Sequence, residues 1–166
     1  MIEVGSHVFL DTNVLLTATD RARPAHEDAK TIVAEARRRG FSLFVSGQIL
    51  REYLVVATRP QDVNGLGMTV ADAIVNVDSF CRRLACCDET EAVSRRLQQL
   101  VRELGLQGKR IHDANVAATM QTHGIDVLIT DNPNDFSSFP ELTTLGITAA
   151  AEAMPSRLDR LREDDR

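Results

Sequence analysis

Val8-Phe9-Leu10-Asp11-Thr12-Asn13-Val14-Leu15-Leu16 is an apolar run with one acid-hydroxyl-amide step set into it. A carboxylate in such surroundings costs free energy unless something makes use of it. Val8 to Leu10 read as a short buried strand, with β-branched and aromatic residues and no polar interruption. Asp11 then lies at the carboxyl end of that strand. Open parallel sheets bind ligands outside the carboxyl ends of their strands, so the acid faces a site by default. The same residues also allow a plainer role, in which Asp11 or Thr12 caps the helical turn that follows.

The chain around this stretch is 166 residues long, enough for one domain with a core of its own and short for two. We expect a single domain over 1–150 and a charged helix or tail over 151–166. A net charge of −5 and a pI near 5.4 give no nucleic-acid footprint. Cys81, Cys86 and Cys87 show neither C-x-x-C spacing nor a neighbouring histidine. Zinc and a disulfide framework are therefore disfavoured, and reduced thiols in the cytoplasm are expected. The N-terminal residues carry no basic and apolar leader pattern, and no apolar run approaches the roughly 20 residues a membrane helix needs, so a soluble, unexported protein with no membrane partner is expected.

Outward from Asn13, the first clear helix signal is Pro24 to Arg39, with Ala29, Ile32, Val33 and Ala36 at helical spacing and Gly40 as the stop. Arg37, Arg38 and Arg39 crowd its end, either as partners of the helix dipole or as a basic edge for phosphates. Ser42 to Val45 reads as a second strand, and Ser46 as the cap of a helix running to about Thr58. On that helix Ile49, Leu50, Tyr53, Leu54, Val56 and Ala57 form an apolar arc with Glu52 at its margin. A glutamate there can reach a cleft edge, or it can face solvent beside Arg51. Gln61 to Gly67 is a loop, and Thr69 to Asp72 offers a capping box for a helix to about Leu84. Leu84 to Cys87 is a short strand. A helix over about Thr90 to Leu104 follows, with Val93, Leu97, Leu100, Val101 and Leu104 inward and Asp88 as a cap or a border of the site edge.

Gly108-Lys109-Arg110-Ile111-His112-Asp113 leads into a helix that stops near Gly124. Asp113 points inward at its start, either as an N-cap or as a metal ligand whose charge the helix dipole favours. His112 reads as a packing or hydrogen-bonding residue. Ile125 to Ile129 is a strand, and Thr130-Asp131-Asn132-Pro133-Asn134-Asp135-Phe136 places further acids past its end, although such residues also form ordinary turns. Leu142 to Thr148 reads as an edge strand, with a last helix from Ala149 and a charged, fraying end from Ser156.

Strands at about 7–10, 42–45, 84–87 and 125–129 separated by helices indicate an α/β fold: a three-layer α/β/α sandwich around a mostly parallel sheet of four to five strands. Hard oxygen donors without paired histidines suit Mg²⁺ or Mn²⁺, and such a site suits phosphate chemistry. No Walker-type or G-x-G-x-x-G loop is present.

Taken in order, Leu10-Asp11-Thr12-Asn13-Val14-Leu15, Glu52 on a mid-chain helix, His112-Asp113-Ala114 with Ala117-Ala118-Thr119, and Leu128-Ile129-Thr130 with Asn132 and Asp135-Phe136 resemble the PIN-domain family. Within it, the chain is similar to the compact VapC-like ribonuclease toxins of prokaryotic toxin-antitoxin pairs, over residues 7 to 147. The resemblance implies a metal-dependent ribonuclease whose catalytic acids are Asp11, Glu52, Asp113 and Asp135. It implies metal ligation by Asp11, Asp113 and Asp135, with Asp131 as a neighbouring substitute, and Thr12, Asn13, Thr130 and Asn132 as supporting polar residues. It further implies a cognate antitoxin protein and a homodimer. RNA would be gripped by Lys109, Arg110, Arg21 and Arg23, which otherwise are simply solvated. Two alternatives remain at this level: a haloacid-dehalogenase-type phosphatase, whose second aspartate would stand where Asn13 does, and a non-catalytic module.

Overall fold

The computed structural model describes residues 2–154. Its elements, in chain order, are β1 (His7–Leu10), α1 (Thr12–Thr19), α2 (His26–Glu35), β2 (Ser42–Ser46), α3 (Gly47–Thr58), α4 (Val70–Cys81), β3 (Ala85–Cys87), α5 (Glu91–Leu104), α6 (Arg110–Thr122), β4 (Val127–Ile129), β5 (Thr143–Leu145) and α7 (Ile147–Ala153). Single 3₁₀ turns occupy Gln61–Val63 and Pro133–Phe136.

The five strands pair in the order β3-β2-β1-β4-β5, every neighbouring pair parallel, with Phe9 opposite Phe44 on one side and Leu128 on the other. Val8, Phe9 and Leu10 are fully buried. Their strand is continuously apolar, with no alternation, because a central parallel strand is covered on both faces. The chain steps outward from β1 to β3, then returns to the far side of β1 for β4 and β5. Right-handed crossovers put connections that run in opposite directions on opposite faces. Accordingly α1 packs on α2 and α3, α3 on α4, and α2 on α7, whereas α5 packs on α6. This is the expected three-layer sandwich. Its switch point lies between β1 and β4, where diverging connections open a crevice at the carboxyl ends of the strands.

Several boundaries differ from the sequence reading. The helical turn read after Asp11 extends into α1, whose length the sequence conceals because Val14, Leu15, Leu16 and Thr17 are all buried and leave little polar-apolar contrast. α2 begins at His26 rather than Pro24, because Ala25 turns the chain with a left-handed φ of 60°. α4 ends at Cys81, and Leu104 on α5 is 41% exposed rather than inward. The β4 and β5 strands are shorter than expected, and α7 starts at Ile147. It continues through residue 150 to Ala153, with Ile147, Ala150 and Met154 buried. The charged end expected from Ser156 lies outside the described residues. Among the described residues no helix is long and apolar enough to cross a membrane. Cys87 is buried, and that burial lifts its thiol pKa to about 11, while Cys81 and Cys86 are exposed.

Candidate active site

Asp11 occupies the N-cap of α1, immediately beyond β1, so its capping and site roles coexist. One carboxylate oxygen accepts from the Thr12 amide at 2.7 Å; the other accepts from Thr130 Oγ1 at 2.7 Å and Asn13 Nδ2 at 2.9 Å. Burial raises the pKa of Asp11. The donors from Thr130, Thr12 and Asn13 oppose that rise, and the charge of Glu52 adds to it. Thr130 is fully buried at the end of β4. Its hydroxyl donates to Asp11 and accepts from Asn13 Nδ2 at 3.2 Å and the Asn132 amide at 3.1 Å, so its hydrogen-bonding capacity is used completely. Asn13 Oδ1 in turn accepts from the Asp131 amide at 3.1 Å. β1 and β4 are thus tied together at the crevice by Thr130 and Asn13, with Asp11 held between them.

Glu52 enters from α3. Its two oxygens accept from Thr12 Oγ1 at 2.8 Å and from Gln48 Nε2 at 2.8 Å. The apolar arc expected on this helix holds: Ile49, Tyr53 and Ala57 are fully buried, and Glu52 stands at its margin facing the crevice rather than solvent beside Arg51. Ser46 takes the N-cap position but its side chain does not cap, and its buried hydroxyl has no partner among the described residues.

Asp113 is not an N-cap. α6 begins at Arg110, which puts Asp113 inside the first turn, and its carboxylate accepts no hydrogen bond among the described residues. Burial is the main cause that lifts its pKa to about 6, followed by the charges of Asp135, Asp11 and Glu52, with His112 opposing. Asp135, exposed in the Pro133–Phe136 turn, also lacks a side-chain hydrogen bond among the described residues. Acids from four separate segments therefore converge on the crevice. His112 is largely exposed rather than packed, with Nδ1 3.8 Å from Glu52 Oε1.

Asp131 turns elsewhere. Its carboxylate accepts from Thr17 Oγ1 at 3.5 Å, and its raised pKa, due mainly to burial, is offset by Thr17 and Arg23 rather than altered by the other acids. Asn132 is exposed and meets the site through its backbone, its amide donating to Thr130 Oγ1 and its carbonyl accepting from the Asp135 amide at 3.1 Å. Lys109 and Arg110 stand exposed at the start of α6, where Arg110 bonds Ser138. Arg21 and Arg23 follow α1, and Arg23 pairs with Asp20 at 3.5 Å.

Among the described residues no three acids, histidines or cysteines stand close enough to form a ready metal-holding group. The donor chemistry nonetheless fits a hard divalent cation. All donors are carboxylate oxygens, and the cost of burial and of the neighbouring acids that lifts the Asp113 pKa is what a cation offsets. A cation held by three carboxylates requires side-chain rotation, for which Asp113 and Asp135 are free of hydrogen-bond restraint.

Sequence reasoning overlooked a polar network behind Glu52. Gln48, only 6% exposed, donates to Glu52 and to the His112 carbonyl at 3.2 Å, accepts from Asn115 Nδ2 at 2.7 Å, and gives its amide to Glu89 Oε1 at 2.6 Å. Glu89 also faces Arg51 at 3.5 Å. Gln48 stands one helical turn before Glu52, and Asn115 is a poor helix former among alanines; both were readable signals. Glu89 had none. Asp88, read as a cap or as a border of the site edge, is displaced from the capping role by Thr90, whose hydroxyl accepts from the Val93 amide. The Asp88 carbonyl accepts instead from His123 Nε2.

Comparison with known proteins places this geometry. The model of the PIN domain matches residues 8–142. Ribonuclease VapC48 of Mycobacterium tuberculosis (strain ATCC 25618 / H37Rv) is 31% identical over 134 residues, 78% of this chain and 89% of the relative. The fold is similar to DNA-bound VapBC from Salmonella typhimurium, with a TM-score of 0.63 at 19% identity over 86% of this chain and 98% of that one. It is also similar to VapBC2 from Rickettsia felis bound to a DNA fragment from their promoter, with a TM-score of 0.62 at 17% identity over 84% and 98%. The chain belongs to the PIN-domain family, among the VapC ribonuclease toxins of toxin-antitoxin systems.

Proposed function

We propose that this ribonuclease hydrolyses RNA phosphodiester bonds internally, with Mg²⁺ or Mn²⁺ held by Asp11, Asp113 and Asp135 and with Glu52 completing the catalytic acids. The observation that carries this reading is the convergence of these acids on the β1–β4 crevice around Asp113, a carboxylate without a hydrogen-bond donor. Bound there, the ion would lower the pKa of a water and neutralise charge on the phosphoryl oxygens.

The chain's own residues supply orientation. Thr130, Asn13 and the Thr12 amide fix both oxygens of Asp11, so that carboxylate loses little freedom when it takes up a ligand. Thr12 and Gln48 hold Glu52 from opposite sides, which keeps a charged acceptor aimed at the crevice. Lys109 and Arg110, on the turn that delivers Asp113, contact the RNA backbone beside the cut, and Arg21 and Arg23 contact it past α1. The nuclease domain spans residues 1–150 and works in the cytoplasm as a homodimer, inhibited by a cognate antitoxin, as family membership supports.

Cleavage of a labelled RNA tests the reading. Activity should vanish with EDTA, return with Mg²⁺ or Mn²⁺, and be lost in Asp11→Asn with the fold intact by circular dichroism. Full cleavage in EDTA overturns the metal assignment.

A further inference from the structure

A second charged cleft lies at the other end of the sheet. It has a volume of about 700 Å³ and is bounded by the end of α2, the start of β2 and the end of α4, with Arg37, Arg38, Arg82 and Arg83 in its lining and no acid among them. It exists because α2 leans on α1 and α7 while α4 leans on α3, leaving a gap over the amino end of β2. Phe44, half-buried, contributes to its floor. Arg38 pairs with Glu35 at 3.4 Å, and Arg83 donates to the Ser79 carbonyl at 3.0 Å. The side chains of Arg37 and Arg82 have neither a hydrogen bond nor an ion pair among the described residues.

The plain explanation, that these arginines answer the helix dipoles, is too small. Two helix ends amount to about one negative charge together, and Glu35 offsets Arg38, which still leaves three guanidinium charges without a paired acid. The sequence after Met154 adds no net charge, with Arg157, Arg160, Arg162 and Arg166 against Asp159, Glu163, Asp164 and Asp165. In a chain of net charge −5 this concentration of guanidinium groups is a local excess, and planar arginine forks match phosphate oxygens. The arrangement, guanidinium groups around a partly exposed aromatic ring, is the chemistry of a single-stranded nucleic-acid groove.

We propose that this cleft binds the phosphodiester backbone of single-stranded RNA at the end of the domain opposite the acids, as a hold on the substrate separate from the cutting site. The proposal rests on the ribonuclease reading. The two ends are separated by the length of β2, five residues or about 16 Å, which a strand of several nucleotides spans.

The test is fluorescence anisotropy of a labelled 20-nucleotide single-stranded RNA against the full chain, in EDTA so that the RNA stays intact. Quadruple Arg→Glu and Arg→Lys variants at positions 37, 38, 82 and 83 are compared with wild type. Each lost phosphate contact lowers the salt slope by about 0.7. The glutamate variant should bind about tenfold or more weakly, with a slope smaller by about 1.4 to 2.8, and should raise KM for RNA without changing kcat. The lysine variant, which keeps the charge, should retain most of the binding, separating lost charge from lost fold. Unchanged Kd and slope in the glutamate variant, with wild type cutting RNA normally, overturn the proposal and leave the activity standing. Salt-dependent binding lost in the glutamate variant, with no cleavage by wild type, supports the cleft and removes the ribonuclease reading instead. Inorganic phosphate binding that disappears in the glutamate variant while RNA binding persists also overturns it, since the occupant is then a free phosphate.

Discussion

Replacing Asp113 by asparagine should make the metal-free protein more stable. The carboxyl is lifted from 3.8 to about 6 by burial and by Asp135, Asp11 and Glu52. The folded state therefore holds the Asp113 proton more tightly than the unfolded state. For a carboxyl raised in this way, folding stability is fully present below pH 4 and is lost as pH climbs from about 4 to about 6. Two pKa units correspond to a ceiling of about 3 kcal/mol. The side chain is partly exposed, so solvent screening reduces this to roughly half. Asparagine also forfeits about 0.5 kcal/mol of favourable interaction between an acid and the start of α6. The net gain is about 1 kcal/mol, or about 2–4 °C in Tm for a domain of this size. Thermal melts followed by circular dichroism at pH 7.5 in EDTA should show Asp113→Asn melting higher than wild type, with the difference disappearing at pH 4. In Mg²⁺ the order should reverse, because at ten times Kd a ligand that only wild type binds adds about 1.4 kcal/mol. A variant that melts at or below the wild-type temperature at pH 7.5 in EDTA would count against this, since burying the Asp113 charge among other acids would then not be costing stability.

Thr130→Val keeps shape but strands Asp11, Asn13 and the Asn132 amide, so stability should fall by about 1–3 kcal/mol in urea melts and RNA cleavage should fall with it. Gln48→Ala removes one of the two holds on Glu52 and should lower kcat for RNA about tenfold while KM stays within about twofold, as steady-state kinetics would reveal. Ala25→Gly relieves the left-handed φ of 60° ahead of α2 and should raise stability by about 0.5–1 kcal/mol with no effect on cleavage; an unchanged or lower Tm would count against strain there.

The fold was legible where burial writes itself into composition. Val8 to Leu10 announced a central strand because both its faces are covered, and Ala29, Ile32, Ile49, Tyr53 and Val93 marked their helices by spacing. The length of α1 was hidden for the opposite reason: a helix buried nearly all round offers no periodic contrast. The acids could be found individually, yet no spacing shows that Asp113 sits inside a helical turn without a donor, or that Asp131 turns toward Thr17 and Arg23. Those outcomes depend on where α6 starts and how the loop after β4 bends, both decided by tertiary contacts. Gln48, Glu89 and Asn115 meet only because α3 and α6 converge at the crevice. The arginines at 82 and 83 likewise acquire meaning only beside those at 37 and 38, a juxtaposition made by the ends of two helices distant in sequence.

Asp113 and its neighbouring acids are proposed to cut RNA through a divalent ion. The initial rate of cleavage of one labelled RNA by wild type and by folded Asp113→Asn, each in saturating Mg²⁺ and in EDTA, tests it most directly. Wild type should cleave in Mg²⁺ alone, with the variant reduced at least about a hundredfold, the loss expected when a positioned charge is removed from a catalytic site. A variant that cuts at the wild-type rate in Mg²⁺, or a wild type that cuts equally well in EDTA, contradicts this role for the acids.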